Sequence, residues 1–361
     1  MRTVTVAVDA MGGEQAPDEP VRGVANLSLG AGGPQILLAG DERQITARLE
    51  RLPHNPEQIE VRHAGGPSPR AALVEAVRLL AAGEADAVVT AGASADALAA
   101  CREQLRLLPG VPSPALAAVY PTQQRRGRHG DPFTLLLDIG ATLDASAQDL
   151  CAFAVLGAVY ARAISVNPRP RVALLATGRD PAHGPPAIVE AHARLRALPG
   201  LDFAGNVLAT DIPEGRADVI ACGGFTGNAV ISLLDGVNGL VVDLARYAQK
   251  QRLLWRVGLA MLSGGVARLK QLTDWEQYGG APLLGYEKLL LRAHPRSGAL
   301  AIQNACRVAA KAVAADLPAG VAQLLASPAL YGLAPPSLAA GEGAGGGAPG
   351  RPRPPGTGRA P

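Results

Sequence analysis

Short apolar runs alternate along the chain with longer stretches in which apolar residues recur every three or four positions, up to about residue 245. The short runs predict β-strands and the longer stretches predict helices. The predicted strands are 4–8, 36–39, 59–64, 87–90, 134–139, 172–176 and 218–221, and the predicted helices are 20–29, 70–82, 93–108, 147–164, 186–197 and 227–247. Near-continuous apolar strands separated by helices are typical of a mostly parallel sheet covered on both faces. We therefore expect a three-layer α/β fold.

The pattern changes after about residue 245. Residues 249–272 predict a helical segment with basic flanks, 278–285 predict a turn, and 298–315 predict a last helix. From residue 327 the chain consists mainly of Pro, Gly, Ala and Arg, which cannot bury enough apolar surface to offset the entropy of ordering. The sequence therefore predicts one α/β domain over residues 1–326 and a disordered tail over 327–361.

Composition narrows the possible functions. Hydrophobic residues make up 48% of the chain, which is enough for a full core, and the net charge of +3 is too small for a general nucleic-acid binder. The chain has lysine only at positions 250, 270, 288 and 311, so a phosphate-binding cation before residue 250 must be Arg or protonated His. The four cysteines have no metal-ligand spacing, and we expect no metal site.

Two further absences bear on location and cofactors. The start of the chain lacks the pattern of a signal peptide, and no apolar run was expected to span a bilayer, so we expect a cytoplasmic protein. Neither a Gly-x-Gly-x-x-Gly motif after the first strand nor a Gly-Lys-Ser/Thr motif occurs, which gives no support for a dinucleotide or nucleotide cofactor.

Glycine-containing loops follow several predicted strands, where α/β sheets bind their ligands. Asp9, Gly12 and Gly13 follow the first strand, and their loop fits either a backbone cradle for phosphate or an ordinary turn. Asp138 and Gly140 follow a later strand. There the aspartate fits either an orienting group for backbone N–H donors or a simple cap.

Two loops later in the chain carry further candidates. Residues 223–228 read GGFTGN, and small residues with a hydroxyl and an amide at a helix N-terminus suit an anion or a thioester carbonyl. His294 lies downstream of the glycine pair Gly279 and Gly280. It fits either a general acid or base near neutral pH or a structural histidine.

The order of these loops resembles one family. VDAMGG at 8–13, AVVTAG at 87–92, LLDIGA at 136–141, GFTGN at 224–228, YGGAPLLG at 278–285 and AH at 293–294 occur in the sequence and spacing of the phosphate:acyl-ACP acyltransferases, known as PlsX. The resemblance covers residues 4 to about 315. It implies a fold similar to that of the isocitrate and isopropylmalate dehydrogenases and of phosphotransacetylase.

The resemblance also implies an activity. Members of the family transfer a long-chain acyl group from acyl carrier protein to inorganic phosphate, as homodimers without metal or nucleotide. A membrane-bound acyltransferase then uses the acyl phosphate to acylate glycerol 3-phosphate. A chain with this activity contacts acyl carrier protein, phosphate and, at the membrane, the enzyme that consumes its product.

Site residues follow from the same resemblance. The residues expected to act in catalysis are Asp9, Asn228 and His294. The residues expected to bind or shape the substrate site are Gly12, Gly13, Asp138, Gly140, Thr226, Gly227, Gly279 and Gly280, with Arg179 supplying a guanidinium for phosphate.

The chain departs from the family at several strand-end loops. The family sequence GGDHAP is here Gly-Gly-Glu14-Gln15-Ala16-Pro17, and the aspartate of DGFTGN is Gly223. A Lys and a Ser-Ser pair before one helix are lost where this chain has Arg70-Ala71-Ala72. Arg70 and Arg179 are the candidates to restore phosphate contacts, since a guanidinium binds phosphate bidentately. Two hypotheses follow: a working acyltransferase with a rearranged site, or a non-catalytic relative that binds acyl chains, carrier protein or a partner enzyme.

Residues 249–272 combine apolar positions at helical spacing with basic flanks. Leu254, Val257 and Met261 lie between Lys250 and Lys270. This pattern fits a peripheral anchor on an anionic bilayer. A helix that packs in a dimer interface or in the core is the alternative, and the anchor is the favoured interpretation.

Overall fold

The computed structural model describes residues 3–66, 69–126, 131–251 and 279–326. Its strands are β1 (Thr5–Asp9), β2 (Gln35–Gly40), β3 (Ile59–His63), β4 (Ala87–Thr90), β5 (Ala115–Arg126), β6 (Asp131–Leu137), β7 (Arg171–Leu175), β8 (Asp202–Val207), β9 (Val219–Ala221), β10 (Ala281–Leu284) and β11 (Leu289–Arg292). Its helices are α1 (Asp18–Ser28), α2 (Glu42–Leu49), α3 (Pro69–Ala81), α4 (Ser94–Gln104), α5 (Ala147–Ile164), α6 (Pro186–Arg196), α7 (Asp211–Glu214), α8 (Gly224–Gln251), α9 (Ala299–Ala314) and α10 (Leu317–Leu325).

The strands form one sheet in the order β3-β2-β1-β4-β11-β10-β5-β6-β9-β7-β8. Seven of the ten strand pairs are parallel, and the three antiparallel pairs are β11–β10, β10–β5 and β5–β6. This confirms the predicted mostly parallel α/β sheet. The antiparallel pairs have a consequence for direction, because β6, β9, β7 and β8 run opposite to β1, β2, β3, β4 and β11.

Helices cover both faces of the sheet, which gives the three layers predicted from the sequence. On one face, Val6 and Val8 of β1 pack with α1 and α9, and Leu135 and Leu137 of β6 pack with α5. On the other face, Ala7 of β1 packs with α3 and α4, while the second half of the sheet packs with the start of α8. Alternate residues of each strand thus enter opposite hydrophobic clusters, as the period of a strand requires.

Local sequence explains the central helix α5. Ser146 caps its first turn by accepting a hydrogen bond from the Asp149 N–H, and the Asp149 carboxylate accepts from the Ser146 N–H. Gly157 lets the helix approach β9, because a Cβ there would overlap the Val219 side chain. By length and composition α5 could cross a membrane, but 78% of its apolar window is buried inside the protein. The expectation that no run reaches that length was wrong, and α5 is a core helix.

Several elements differ from the prediction. Strands β5 and β8 were not predicted, because β5 carries polar residues towards its end and β8 is an edge strand whose residues alternate in burial. Residues 281–284 were predicted as a turn but form β10, which pairs with both β11 and β5. Helix α8 begins at Gly224 rather than at 227, so GFTGN forms its first turn. The segment 252–272 and the tail 327–361 lie outside the described residues.

Candidate functional site

Asp9 ends β1 beside the end of β4. Its carboxylate is 1% exposed and accepts hydrogen bonds from the Thr90 hydroxyl (2.7 Å) and from the Met11 N–H (3.1 Å). Burial raises the pKa of Asp9 to about 6, and the hydrogen bonds from Thr90 and Met11 oppose that rise. The carboxylate therefore holds two strand-end loops together and titrates just below neutral pH.

The glycine pair of the first loop is required by close packing. A Cβ on Gly12 would overlap the Asp9 carboxylate and lie 2.9 Å from the backbone nitrogen of Gly92. Gly13 has φ +100°, and a Cβ there would lie 3.0 Å from the Pro295 carbonyl oxygen. Because the Glu14 N–H also donates to that carbonyl at 2.7 Å, the first loop lies directly against the segment after β11.

His294 lies in that segment. The Ala293 N–H donates to the Thr90 carbonyl (2.7 Å), which fixes the chain next to the Asp9 loop. His294 Nδ1 accepts from the Arg296 N–H at 3.1 Å, so the neutral imidazole carries its proton on Nε2. Burial lowers the pKa of His294, the charges of Arg296 and Arg292 lower it further, and Glu14 opposes them. His294 is therefore a neutral donor at Nε2 near neutral pH.

Asp9, Gly12, Gly13, Thr90, Arg292 and His294 thus form one cluster, the Asp9 group. Gly279 and Gly280 pack against the backbone of Arg292 and against α9. Gly280 has φ +94°, and a Cβ there would lie 2.7 Å from the Arg292 carbonyl oxygen. Gly279 has φ +76°, and a Cβ there would lie 2.6 Å from Val308 of α9. The two glycines allow the chain to pass close to β11 and α9 as it enters β10. Their role is therefore to support the backbone that carries His294, not to donate hydrogen bonds to a substrate.

Asp138 belongs to a second group. Its carboxylate accepts hydrogen bonds from the backbone N–H groups of Leu116 (2.8 Å), Gly140 (3.1 Å), Ala141 (3.0 Å) and Thr142 (2.5 Å). Burial raises the pKa of Asp138, and these four bonds oppose the rise. Both carboxylate oxygens are thus occupied by the loop that Gly140 belongs to, and Asp138 orders backbone rather than facing an open cavity.

The first turn of α8 packs on this second group. A Cβ on Gly227 would overlap the Asp138 carbonyl oxygen and lie 2.9 Å from Cys222 Sγ. Thr226 and Asn228, one residue to either side, are exposed. Gly227 is therefore required by packing, and its two polar neighbours are presented to solvent at the helix start.

The two groups lie at opposite edges of the sheet. The Asp9 group follows the ends of β1, β4 and β11, whereas the Asp138 group follows the ends of β6 and β9, which run the other way. The strand-end loops therefore do not all meet at one edge, because three antiparallel pairs in the middle of the sheet reverse the strand direction. Helix α8 extends from the Asp138 group towards the Asp9 group. Asp235 lies about three turns from the helix start, and there burial raises its pKa while the nearby charge of Arg296 opposes that rise.

Arg179 lies in neither group. Its Nη2 is 2.6 Å from Oδ1 of Asp211, which is 2% exposed and also lies 3.2 Å from Arg216. With Arg171, these two arginines line a cavity of about 580 Å³ on the α7 side of the sheet. The second arginine expected to compensate for lost family residues, Arg70, lies 3.4 Å from Glu103.

The sequence analysis missed two members of the Asp9 group. Thr90 bonds to Asp9, and Arg292 donates from Nε to the Gly92 carbonyl at 3.2 Å. Each is the polar last residue of an apolar strand, AVVT or LLLR. That position at a strand end was the sequence signal that could have identified them as site residues. Over the described ranges, no three His, Cys, Asp or Glu side chains are grouped closely enough to hold a metal ion.

Comparison with known proteins gives consistent results over most of the chain. Residues 4–319 match the family described as "Fatty acid synthesis protein". The protein named phosphate acyltransferase from Moorella thermoacetica is 36% identical over 321 residues, covering 85% of this chain and 92% of that protein. The phosphate acyltransferase of Myxococcus xanthus is 36% identical over 315 residues, covering 83% of this chain and 87% of that protein.

Solved structures resemble the fold. A phosphotransacetylase from Streptococcus pyogenes matches with a TM-score of 0.59 and 16% identity, covering 86% of this chain and 94% of that chain. The EutD phosphotransacetylase from Staphylococcus aureus matches with a TM-score of 0.56 and 15% identity over the same shares of both chains. At such low identity these matches bear on the fold alone.

Proposed function

The chain belongs to the fatty acid synthesis protein family, whose similar members are named phosphate acyltransferase, and on that premise we propose that it transfers a fatty acyl group from acyl carrier protein to inorganic phosphate. It is an acyltransferase, and the product of the proposed reaction is an acyl phosphate for phospholipid synthesis. One observation supports the Asp9 group as the reaction centre. There the ends of β1, β4 and β11 bring together a glycine loop, an imidazole donor and cationic side chains.

The reaction needs two things from this group. A phosphate oxygen attacks the thioester carbonyl carbon, the carbon–sulfur bond breaks, and the proton of the hydrogen phosphate goes to the leaving thiolate. The carbonyl oxygen becomes negative in the tetrahedral intermediate, and a preorganised donor stabilises it. We assign that role to the Nε2–H of His294, and the hydrogen bond from the Arg296 N–H to Nδ1 supports the assignment.

Asp9 serves the reaction by position. Its carboxylate is bonded to the Thr90 hydroxyl and the Met11 N–H, so it holds the loop of Gly12 and Gly13 against Pro295. A correctly held loop fixes both reactants and removes much of the entropic barrier. Thr226 and Asn228 lie about 10 to 14 Å along α8 from Asp235, and we assign them to contacts with the long acyl donor rather than with the phosphate.

We further propose a homodimer through α8. Five of its exposed apolar residues recur at spacings of four and three, which is the pattern of a helix–helix seam. These residues are Leu233, Val237, Leu240, Leu244 and Tyr247. A single helix does not leave such a stripe to water without cost, and a second copy of the same helix is the partner whose pattern matches it.

The proposed site of action is the cytoplasm, with peripheral contact at the inner face of the membrane. Helix α8 leads directly into residues 252–272, whose basic and apolar residues carry the anchor hypothesis. Membrane contact would place acyl phosphate near the membrane-bound glycerol-3-phosphate acyltransferase that consumes it. Flotation with liposomes containing anionic lipid, comparing the protein with its Trp255→Glu variant, tests this; equal flotation of both contradicts it.

A non-catalytic relative is the second candidate, and one observation favours it. Arg179 and Arg70, the arginines expected to restore phosphate contacts, are paired with carboxylates: Arg179 with Asp211, outside the Asp9 group, and Arg70 with Glu103. If the protein is active, the contacts to phosphate that replace the lost family residues must therefore come from residues of the Asp9 group.

One assay separates the candidates. Purified protein is incubated with palmitoyl-acyl carrier protein and inorganic phosphate, and acyl phosphate is trapped as the hydroxamate. We expect product with the carrier-protein donor and loss of it in His294→Ala. A folded protein that yields no product at high enzyme concentration supports the binding protein instead, and equal use of palmitoyl-coenzyme A contradicts carrier-protein specificity.

A further inference from the structure

Arg292 is the cationic residue that ends β11 within the Asp9 group. It pairs with Thr90 in the register of β11 and β4, so it lies level with the Asp9 loop. Its Nε donates to the Gly92 carbonyl at 3.2 Å, which fixes the plane of the guanidinium. We propose that Arg292 binds the phosphate substrate directly, an assignment that rests on the proposed function.

The charge of Arg292 is not compensated by a carboxylate. Over the residues that the structure describes, no ion pair involves it, whereas Arg48, Arg78 and Arg179 each lie within 3 Å of an acid. Burial is the cause that lowers the pKa of Arg292 from its ordinary value. Half-burying a charge without a partner is costly, and a bound dianion removes that cost.

The surroundings of Arg292 suit an anion. His294 beside it is neutral rather than cationic, because burial and the charges of Arg296 and Arg292 lower its pKa. The loop of Gly12 and Gly13 brings backbone rather than side chains to this edge of the sheet. Two acids lie in this group: the Asp9 carboxylate is bonded to the Thr90 hydroxyl and the Met11 N–H, and Glu14 is the acid whose charge raises the pKa of His294.

The geometry of a guanidinium explains how the contact is made. With Nε held by the Gly92 carbonyl, the two Nη groups project on the far side and can donate a bidentate pair to two phosphate oxygens. A lysine at this position would keep the charge but lose the fork. Arg292 therefore supplies the charge and the oriented donors for phosphate that this chain has lost at the family positions where its polar residues are replaced.

The test compares Arg292→Gln and Arg292→Lys with the wild-type protein. The control is Arg48→Gln, an identical change at an arginine of α2 that is paired with Asp18. Phosphate affinity is measured without catalysis, from the line broadening of inorganic phosphate in ³¹P NMR titrations, and the KM for phosphate is measured in the acyl phosphate assay. Circular dichroism verifies that each variant is folded.

We expect Arg292→Gln to weaken phosphate binding about 10- to 100-fold, with the KM for the acyl donor little changed. Arg292→Lys should fall between it and the wild type, and Arg48→Gln should match the wild type. Unchanged phosphate affinity in folded Arg292→Gln would overturn the assignment even if the enzyme is active. A wild-type protein that binds phosphate through Arg292 yet makes no acyl phosphate would overturn the proposed function and leave this inference intact.

Discussion

The Thr90 hydroxyl donates a hydrogen bond of 2.7 Å to the Asp9 carboxylate, although 81 positions separate the two residues in sequence. Both are essentially buried, at the ends of adjacent parallel strands. The same hydroxyl oxygen accepts from the Gly92 N–H at 2.9 Å. One threonine thus couples the loop after β1 to the loop after β4, and the reaction centre proposed above depends on that coupling.

Replacing Thr90 tests the coupling directly. Thr90→Val keeps the shape of the side chain but leaves the buried Asp9 carboxylate and the Gly92 N–H without this partner, so we expect the free energy of unfolding to fall by about 1–3 kcal/mol. Thr90→Ser keeps the hydroxyl and should lose less than half as much. Urea denaturation at pH 7.5 measures both. Equal stability of Thr90→Val and the wild type would show that the bond contributes nothing.

Asp9 should make stability depend on pH in a definite direction. Its folded pKa of about 6 lies above the ordinary value of 3.8 that applies to the unfolded chain, so the folded protein holds the proton more tightly. This contribution to stability is therefore present at low pH and is lost as pH rises through about 6. From pH 8 to pH 5 the wild type should gain about 1 kcal/mol relative to Asp9→Asn. Parallel pH profiles of unfolding for the two proteins would contradict the raised pKa.

His294 should act as a donor and not as a base. Because Nδ1 accepts from the Arg296 N–H, only Nε2 can donate to the carbonyl oxygen. His294→Ala removes that donor and should lower kcat about 100-fold, while His294→Gln, whose amide can still donate, should retain more activity than the alanine variant. Steady-state kinetics at pH 7 measure the difference. If the glutamine and alanine variants are equally impaired, the donor role is wrong.

The sequence predicted the Asp9 loop because its signals are local: a strand, an aspartate and a glycine pair within 13 residues. It could not predict that Asp138 and Gly227 lie at the opposite edge, since that depends on which strands pair and in which direction. Strand β10, with Pro282 and three apolar neighbours, reads as a turn until its pairing with β11 and β5 is known. Arg292 was missed for the same reason, because its lack of a carboxylate partner is a property of the folded chain.

The apolar stripe of α8 makes a prediction about assembly. Leu240 is 59% exposed and lies in the middle of the stripe, so Leu240→Glu places a charge in the proposed seam. We expect this variant to be monomeric, or to dissociate at concentrations at which the wild type is a dimer, because a charge in an apolar helix interface is costly. Light scattering after gel filtration measures the mass. The matched control is Asn228→Glu on the exposed first turn, outside the stripe, which should leave the mass unchanged.

Two glycines of α8 should respond in opposite directions to the same substitution. Gly227→Ala would bring a Cβ into the Asp138 carbonyl oxygen, which is backbone and cannot move aside without displacing the loop that Asp138 orders. We expect a loss of about 1–3 kcal/mol from that overlap. A Cβ on Gly236 would meet no atom within 4 Å, so Gly236→Ala should instead stabilise the helix by about 0.5–1 kcal/mol, because alanine loses less backbone entropy. Thermal unfolding of both variants measures the two shifts. Since both changes add one methyl group to one helix, stabilisation of both variants would mean that the start of α8 does not pack against Asp138, whereas a loss of stability in both would mean that the position of Gly236 is not open.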